Sequence, residues 1–427
     1  MTPAIPSGPD PKQLRAVYTF GIFSMALIDV FVFLIPIYAG ITLGMSDTEI
    51  GTLVGARSFF SLFLSIHSGV LMDRFGVRRV TLIFMGVVIL CAPLFPLMTS
   101  FYGLLLLQMI SGFAISIGWS GAQTLIARVA EGDAEYIGRF SSFARIGTTV
   151  APVIAGSLFD FGGAWVAYGF GMLWAVFAFG ALWLVPEPDI ATAHGENSTG
   201  DAGSLAIQQE KVPFRLSDAL PRLSDYTASF AMFAIPAIAF TAVAMLVRNS
   251  SYGIQTSVYV TYVQEIGFTA TMIGLLFAAI EMAAGAGSWF SGRIMRRFEA
   301  TRVLVLTTVV TIGLVCATPL LSSLTSAFWA IFAILVIAQM LRGATQGISQ
   351  PILFAVQAKS VGRHQQGAVV GLRQTMNRLG GITIPPLIGF LSDTYGREQS
   401  FYVMGAILLA VCAGLALYAR RVPRISG

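Results

Sequence analysis

The sequence predicts an all-α integral membrane protein of twelve transmembrane helices, arranged as two pseudo-symmetric six-helix bundles with both termini cytoplasmic. Three observations predict it. The 427 residues are 56% hydrophobic and only 11% charged, with a mean hydropathy of +0.77. A soluble chain carries roughly 25% charged residues. The apolar residues fall into consecutive runs of about 20, the length that crosses a hydrocarbon core. Barrel strands would be about half as long and would alternate. Finally, motifs of the first half of the chain recur in the second.

Hydropathy places spans at residues 17–43, 49–71, 79–98, 101–128, 139–159 and 164–185, then at 238–263, 269–291, 302–322, 326–354, 368–391 and 399–419. The domains are therefore 1–188 and 226–427, joined by a polar linker at 189–225 that is rich in Pro, Gly, Ser, Asp and Glu. Within this region Phe214 to Leu223 has the pattern of a short amphipathic surface helix. Tyr226 to Ala237 either lengthens the seventh helix, with Pro236 as a kink, or lies at the interface. Met1 to Arg15 lacks the apolar stretch and cleavage site of a signal peptide, so the first span is expected to be retained. Cys91, Cys316 and Cys412 stand alone in apolar runs and read as small buried hydrophobes.

Orientation follows from Lys and Arg in the short loops. Of 26 basic residues, five lie deep inside spans, only Arg397 shares the side of Asp47, Asp160 and Glu265, and the other 20 lie in loops or near span ends on the N-terminal side. Both termini and the linker are expected in the cytoplasm, in a cell (inner) membrane protein. Asn197-Ser198-Thr199 then reads as a chance glycosylation sequon. The net charge of +5 sits in these loops and does not indicate nucleic acid.

The repeat is explicit. Arg145-Ile146-Gly147, Pro152, Gly156, Asp160 and Gly163 recur 233 residues later as Arg378-Leu379-Gly380, Pro385, Gly389, Asp393 and Gly396. Gln108-Met109 with Gly112 recurs as Gln339-Met340 with Gly343, and Gly69 aligns with Gly292 at an offset of 223. Repeats of this kind place a binding site near the midplane between the halves.

After the second span the chain reads Gly69, Asp73, Arg74, Gly76, Arg78 and Arg79. Gly69 is expected to let two helices approach and Gly76 to permit a tight turn. Asp73 is placed to pair with arginines or to face a helix N-terminus. Such a loop is a latch for the cytoplasmic side. This motif, with the 6+6 repeat, resembles the major facilitator superfamily over nearly the whole chain outside the linker. The matching second loop, Gly292 to Arg297, has Arg296 where the first has Asp73, which weakens a second latch. Gly147-Thr-Thr-Val-Ala151-Pro152-Val-Ile-Ala-Gly156 is similar to the fifth-span motif of antiporter-type members, with Ala151 replacing a glycine. Gln108, four residues before Gly112, stands where proton-coupled members often carry arginine. The resemblance implies a secondary transporter of a small organic solute working by alternating access, with proton-coupled export as the first expectation. Uptake or facilitated passage of an organic anion is the alternative, and a non-transporting scaffold the third.

Charges at bilayer depth cost about 2.5–3.5 kcal/mol each on insertion scales, so each is a functional candidate. Seven stand out: Asp29, Arg57, Arg145, Arg248, Glu281, Arg342 and Arg378. Asp29 reads either as a proton carrier or as the permanent partner of Arg57. Glu281 reads as a second proton-coupling residue or as the partner of Arg248 or Arg342. Arg248, Tyr252, Gln255, Tyr259 and Tyr262 share one face of span seven, and Gln339, Arg342, Gln346 and Ser349 one face of span ten. The resemblance implies that these spans line the cavity, so Arg248, Tyr252, Gln255, Tyr259, Gln339, Arg342 and Gln346, with Arg57, are expected to hold substrate. Guanidinium groups suit an anionic or zwitterionic ligand. Arg145 and Arg378, at equivalent places in spans five and eleven, are expected to serve the cytoplasmic latch. His67, Trp119 and Gln123 read as packing residues as readily as functional ones. No nucleophile–base pair, phosphate loop or metal cluster is apparent, so no enzyme, cofactor or metal is expected. The expected partners are the bilayer, protons and a small solute, for a monomer.

Overall fold

A computed structural model describes residues 10–130, 133–186, 232–360 and 366–421. The linker, its surface helix at 214–223, the sequon and most of the 226–237 stretch lie outside the described residues. So do the side chains of His67 and Asp73.

Fourteen α-helices among the described residues fall on the twelve expected spans, and no strand is present among them. Helix α1 is Pro11–Ile37. It starts on Asp10, whose carboxylate accepts from the Lys12 amide at 3.0 Å, with proline at the first helical position where no donor is needed. It runs on as a π-helical turn, Tyr38–Thr42. The second span is broken into α2 (Asp47–Ala56) and α3 (Phe59–Phe75) at Arg57 and Ser58. Helices α4 (Val77–Cys91) and α5 (Phe101–Val129) follow. Spans five and six form one element, α6 (Ala134–Trp183), bent where Gly163 takes φ +69°. That conformation suits only glycine, so the expected loop between these spans shrinks to one residue.

After the linker, span seven is split into α7 (Pro236–Gln255) and α8 (Val258–Glu265) at Thr256 and Ser257. The rest are α9 (Ala270–Met295), α10 (Ala300–Cys316), α11 (Thr318–Ser322), α12 (Phe328–Lys359), α13 (Gln366–Tyr395) and α14 (Arg397–Arg421). Among the described residues, seven helical stretches are long and apolar enough to cross a membrane. The breaks at Arg57 and Ser257 leave spans two and seven in shorter pieces. Small residues let helices touch through backbone, as membrane packing favours. On α12, added Cβ atoms at Gly343 and Gly347 would lie 2.3 and 2.0 Å from carbonyl oxygens of α9.

Helices before and after the linker meet along two seams, α2 with α13 and α6 with α9. Both seams are tightest at the end of the molecule that carries Asp47, and they repeat each other. A Cβ at Gly156 would lie 2.3 Å from the Ala270 oxygen, and one at Gly389 2.2 Å from the Asp47 oxygen. Gly274 lies against the Pro152 carbonyl as Gly51 lies against that of Pro385.

Candidate functional site

Two aspartates finish these seams. Asp160, in α6, accepts from the amides of Ala270 (2.9 Å) and Thr271 (2.7 Å) and from the Thr271 hydroxyl (2.6 Å). Asp393, in α13, accepts from the amides of Asp47 (3.0 Å) and Thr48 (2.8 Å). Each carboxylate thus takes the first two orphan donors of a helix across the seam, at its positive end. The helices' own caps, Ser46 and Thr269, serve the third amide. One seam carries an addition. Asp47 accepts from Arg397 Nε (2.7 Å) and from Ser392 (2.5 Å), and Arg397 also donates to Glu265 (2.9 Å). Sequence reasoning registered Asp160 and Asp393 as repeat partners and gave them no role. Their signal was a carboxylate at the same place in both repeats, opposite a helix start.

About 10 Å deeper along the α6–α9 seam, two helical turns from Pro152 and Gly274, Arg145 Nη1 donates to Glu281 Oε2 at 2.9 Å. Each side chain is 26% exposed. Glu281 therefore pairs with Arg145, not with Arg248 or Arg342. Arg145, expected to serve the cytoplasmic latch, lies two turns from the seam contact and acts electrostatically on Asp29 and Arg248. Asp29 is half-buried on α1, and its Oδ1 accepts from Tyr252 of α7 at 3.4 Å. Glu281, Arg57 and Arg145 act on it electrostatically.

Arg57 sits at the break between α2 and α3, and Gly112 of α5 makes room for it. A Cβ there would lie 2.3 Å from Arg57 Cγ and 2.5 Å from its carbonyl oxygen. The arginine that meets Gly112 thus comes from the second span, while Gln108 is buried with neither amide atom bonded among the described residues. Arg248 lies within the field of Arg145, and Arg378 within that of Arg57. The Nε atoms of Arg57, Arg248 and Arg378 are buried without a hydrogen-bond partner among the described residues. Four arginines and two acids therefore share this region, which is left with excess positive charge.

The other candidates have the following surroundings. Arg342 is fully buried, donating to Ser251 Oγ (2.8 Å), the Ser251 carbonyl (2.9 Å) and Gln339 (3.0 Å). Tyr259, also fully buried, lies beside Gln339 and Arg342. These three fasten α7 and α8 to α12. Gln255 is buried at the end of α7 and Gln346 is half-buried on α12. In the loop motif, Gly76 makes the turn between α3 and α4 with φ +91°. Arg78 donates to the Trp183 carbonyl at 2.6 Å and covers its ring, and Arg74 covers Phe75. Arg79 is exposed. Gly69 is exposed too, and a Cβ there would meet nothing within 4 Å, so no helix approaches it closely in this conformation. Gly147 and Gly156, from the antiporter-like motif, pack against the Ile22 carbonyl of α1 and against α9. Among the described residues no group of His, Cys, Asp and Glu could hold a metal.

Arg145 and Glu281 line a cavity of about 850 Å³ between α6, α9 and α12.

Comparison with known proteins agrees with this architecture. The Major Facilitator Superfamily profile matches residues 17–385 and 243–426. Monocarboxylate transporter 13 of Bos taurus and that of Rattus norvegicus are each 30% identical over 173 residues, which is 39% of this chain and 38% of the relative. The match thus spans well under half of those relatives. Among solved structures, a mutant of the nucleoside transporter NupG superposes with a TM-score of 0.78 at 11% identity, covering 95% of this chain and 99% of the other. A bacterial homolog of the human lysosomal transporter Spinster, inward-facing and unoccupied, gives 0.68 at 17% identity, covering 98% and 99%. A POT family transporter in complex with a thioalcohol-conjugated peptide gives 0.71 at 13% identity, covering 97% and 96%. These likenesses show the fold. The helices, the seams and the profile match together make this chain a multi-pass membrane transporter, not an enzyme, and it belongs to the Major Facilitator Superfamily.

Proposed function

We propose that the protein moves a small organic anion across a cell membrane together with protons, by alternating access and as a monomer, with both termini in the cytoplasm. The observation that carries this reading is the Arg145–Glu281 pair, which joins α6 to α9 where a cavity reaches it. Even a half-buried pair costs free energy to break unless both partners are compensated. Protonating Glu281 while a substrate carboxylate takes its place on Arg145 compensates both. Proton and anion then bind as a unit. The excess positive charge from Arg57, Arg248 and Arg378 favours the anion, and the partial similarity to monocarboxylate transporters points the same way.

Export in exchange for protons is the second reading. Asp29 favours it, since a hydroxyl at 3.4 Å is its hydrogen-bond partner and leaves it free to change protonation.

Proteoliposomes with an imposed pH gradient test both. Loss of a charge-assisted hydrogen bond costs about 1.5–3 kcal/mol, so Arg145→Ala should weaken monocarboxylate affinity about 10- to 150-fold. Glu281→Gln should retain anion binding and lose its pH dependence. Affinity within threefold of wild type in Arg145→Ala refutes the anion reading. Substrate driven against the proton gradient, not with it, favours export.

A further inference from the structure

The cavity at Arg145 runs along the α6–α9 seam. The ion pair lies two turns from the contact of Pro152 with Gly274, with Ser142 one turn beyond Arg145 and Ser288 two turns beyond Glu281. The rim is apolar and accessible: Trp289 is 89% exposed, Met282 60%, Ile146 52%, Val150 43% and Phe354 36%. Exposed apolar side chains are ordinary on a lipid-facing surface. Here they line a concavity together with the charged pair Arg145 and Glu281. Arg145 makes its hydrogen bond through Nη1 alone among the described residues, so its other donors remain for a ligand. Hydrocarbon filling the groove would leave those donors unmet, at a cost of several kcal/mol per polar group. Water would cover the apolar rim. A molecule with a carboxylate at one end and an apolar body at the other satisfies both ends.

We propose that this groove takes the alkyl or aryl body of an amphipathic monocarboxylate, which lies between α6 and α9 and sets its carboxylate on Arg145. The proposal rests on the anion reading above and specifies its substrate class. The other seam is not equivalent. Under the repeat, Arg378 corresponds to Arg145 but Ser58 corresponds to Glu281, so the exchangeable pair occurs at the α6–α9 seam.

The test is a chain-length series of straight monocarboxylates, from acetate to decanoate, competed for binding in liposomes. Each buried CH2 contributes about fourfold in affinity at full burial. Partition into lipid also rises with length, so the wild type is compared with Ser288→Phe, which narrows the groove. Ser288 bonds to the Gly285 carbonyl of its own helix and lies two turns, about 10 Å, from Glu281. Acetate affinity should be unchanged in Ser288→Phe and the gain with length abolished. Should that variant fold poorly, Trp289→Ala, at an exposed site, should flatten the same slope while sparing acetate. An unchanged slope in the variant that folds overturns the proposal, and the groove then holds bilayer lipid. Acetate binding that is insensitive to Arg145→Ala refutes the underlying anion reading instead.

Discussion

Removing the two carboxylates that cap helices across the seams should open the Asp47 end of the molecule without unfolding it. Asp160 and Asp393 each satisfy the first two amides of a partner helix. Those amides can be hydrated once the seams part, so the loss is that of a helix cap, about 1 kcal/mol per site. The sites are on separate seams and should add, giving about 2 kcal/mol for Asp160→Ala with Asp393→Ala. That is about a 30-fold fall in the ratio of closed to open molecules at this end. Ser46 and Thr269 remain as caps within α2 and α9, so helix content should be unchanged. Spin labels at Thr99→Cys and Ser326→Cys report the distance across this end. Both positions are exposed, in loops tied to it through Tyr38 with Pro96 and Met98, and Tyr262 with Ser322. The native Cys91, Cys316 and Cys412 are buried and should not label. Double electron–electron resonance should show the long-distance population growing in the double variant, with each single variant near the geometric middle. A ratio that moves less than about threefold, with both carboxylates gone, refutes the idea that these caps hold the end closed.

Two further outcomes follow from the charges inside the membrane. Arg342→Ala should lower thermal stability and leave anion affinity unchanged. It strands the acceptors on Ser251 and Gln339 and opens a cavity in a fully buried site, a loss of about 2–5 kcal/mol. A scanning-fluorimetry midpoint equal to wild type, or anion binding weakened tenfold, contradicts this placement. Asp29→Asn should preserve substrate binding and reduce the dependence of transport on the pH gradient. A full pH-gradient response in that variant removes Asp29 from proton coupling.

The spans were legible because an apolar run of 20 residues has few alternatives in a chain with so little charge. Their breaks were not. Nothing in the composition around Arg57 and Ser58, or around Thr256 and Ser257, differs from a continuous helix, and tertiary packing decides where each breaks. The charged site was half legible. Asp29, Arg145 and Glu281 stand out as charges in apolar sequence, but partnership depends on register across a seam. Arg248 and Arg342 occupy similar polar stripes, yet Ser251 and Gln339 capture Arg342 while Arg248 remains in the charged region. Asp160 and Asp393 escaped notice as functional residues because a carboxylate at a span end resembles any solvated loop charge.

The repeat explains how one scaffold can serve both closure and chemistry. The seam contacts of Pro152 with Gly274, Gly156 with Ala270 and Asp160 with Ala270 and Thr271 recur almost atom for atom at Pro385 with Gly51, Gly389 with Asp47 and Asp393 with Asp47 and Thr48. Closing both seams alike lets the two parts of the chain meet squarely at one end. The chemistry departs from the symmetry at single positions. Glu281 in place of the serine at position 58 gives one seam a titratable acid opposite an arginine. Asp47 in place of the alanine at position 270 gives the other seam a carboxylate for Arg397. A substitution at one seam therefore alters chemistry without disturbing closure at the other. It follows that Ser58→Glu should recreate a pair with Arg378 on the α2–α13 seam. Its signature would be a second proton-linked step in the pH profile of transport, and a profile with the wild-type number of steps would show that position in the repeat alone does not confer coupling.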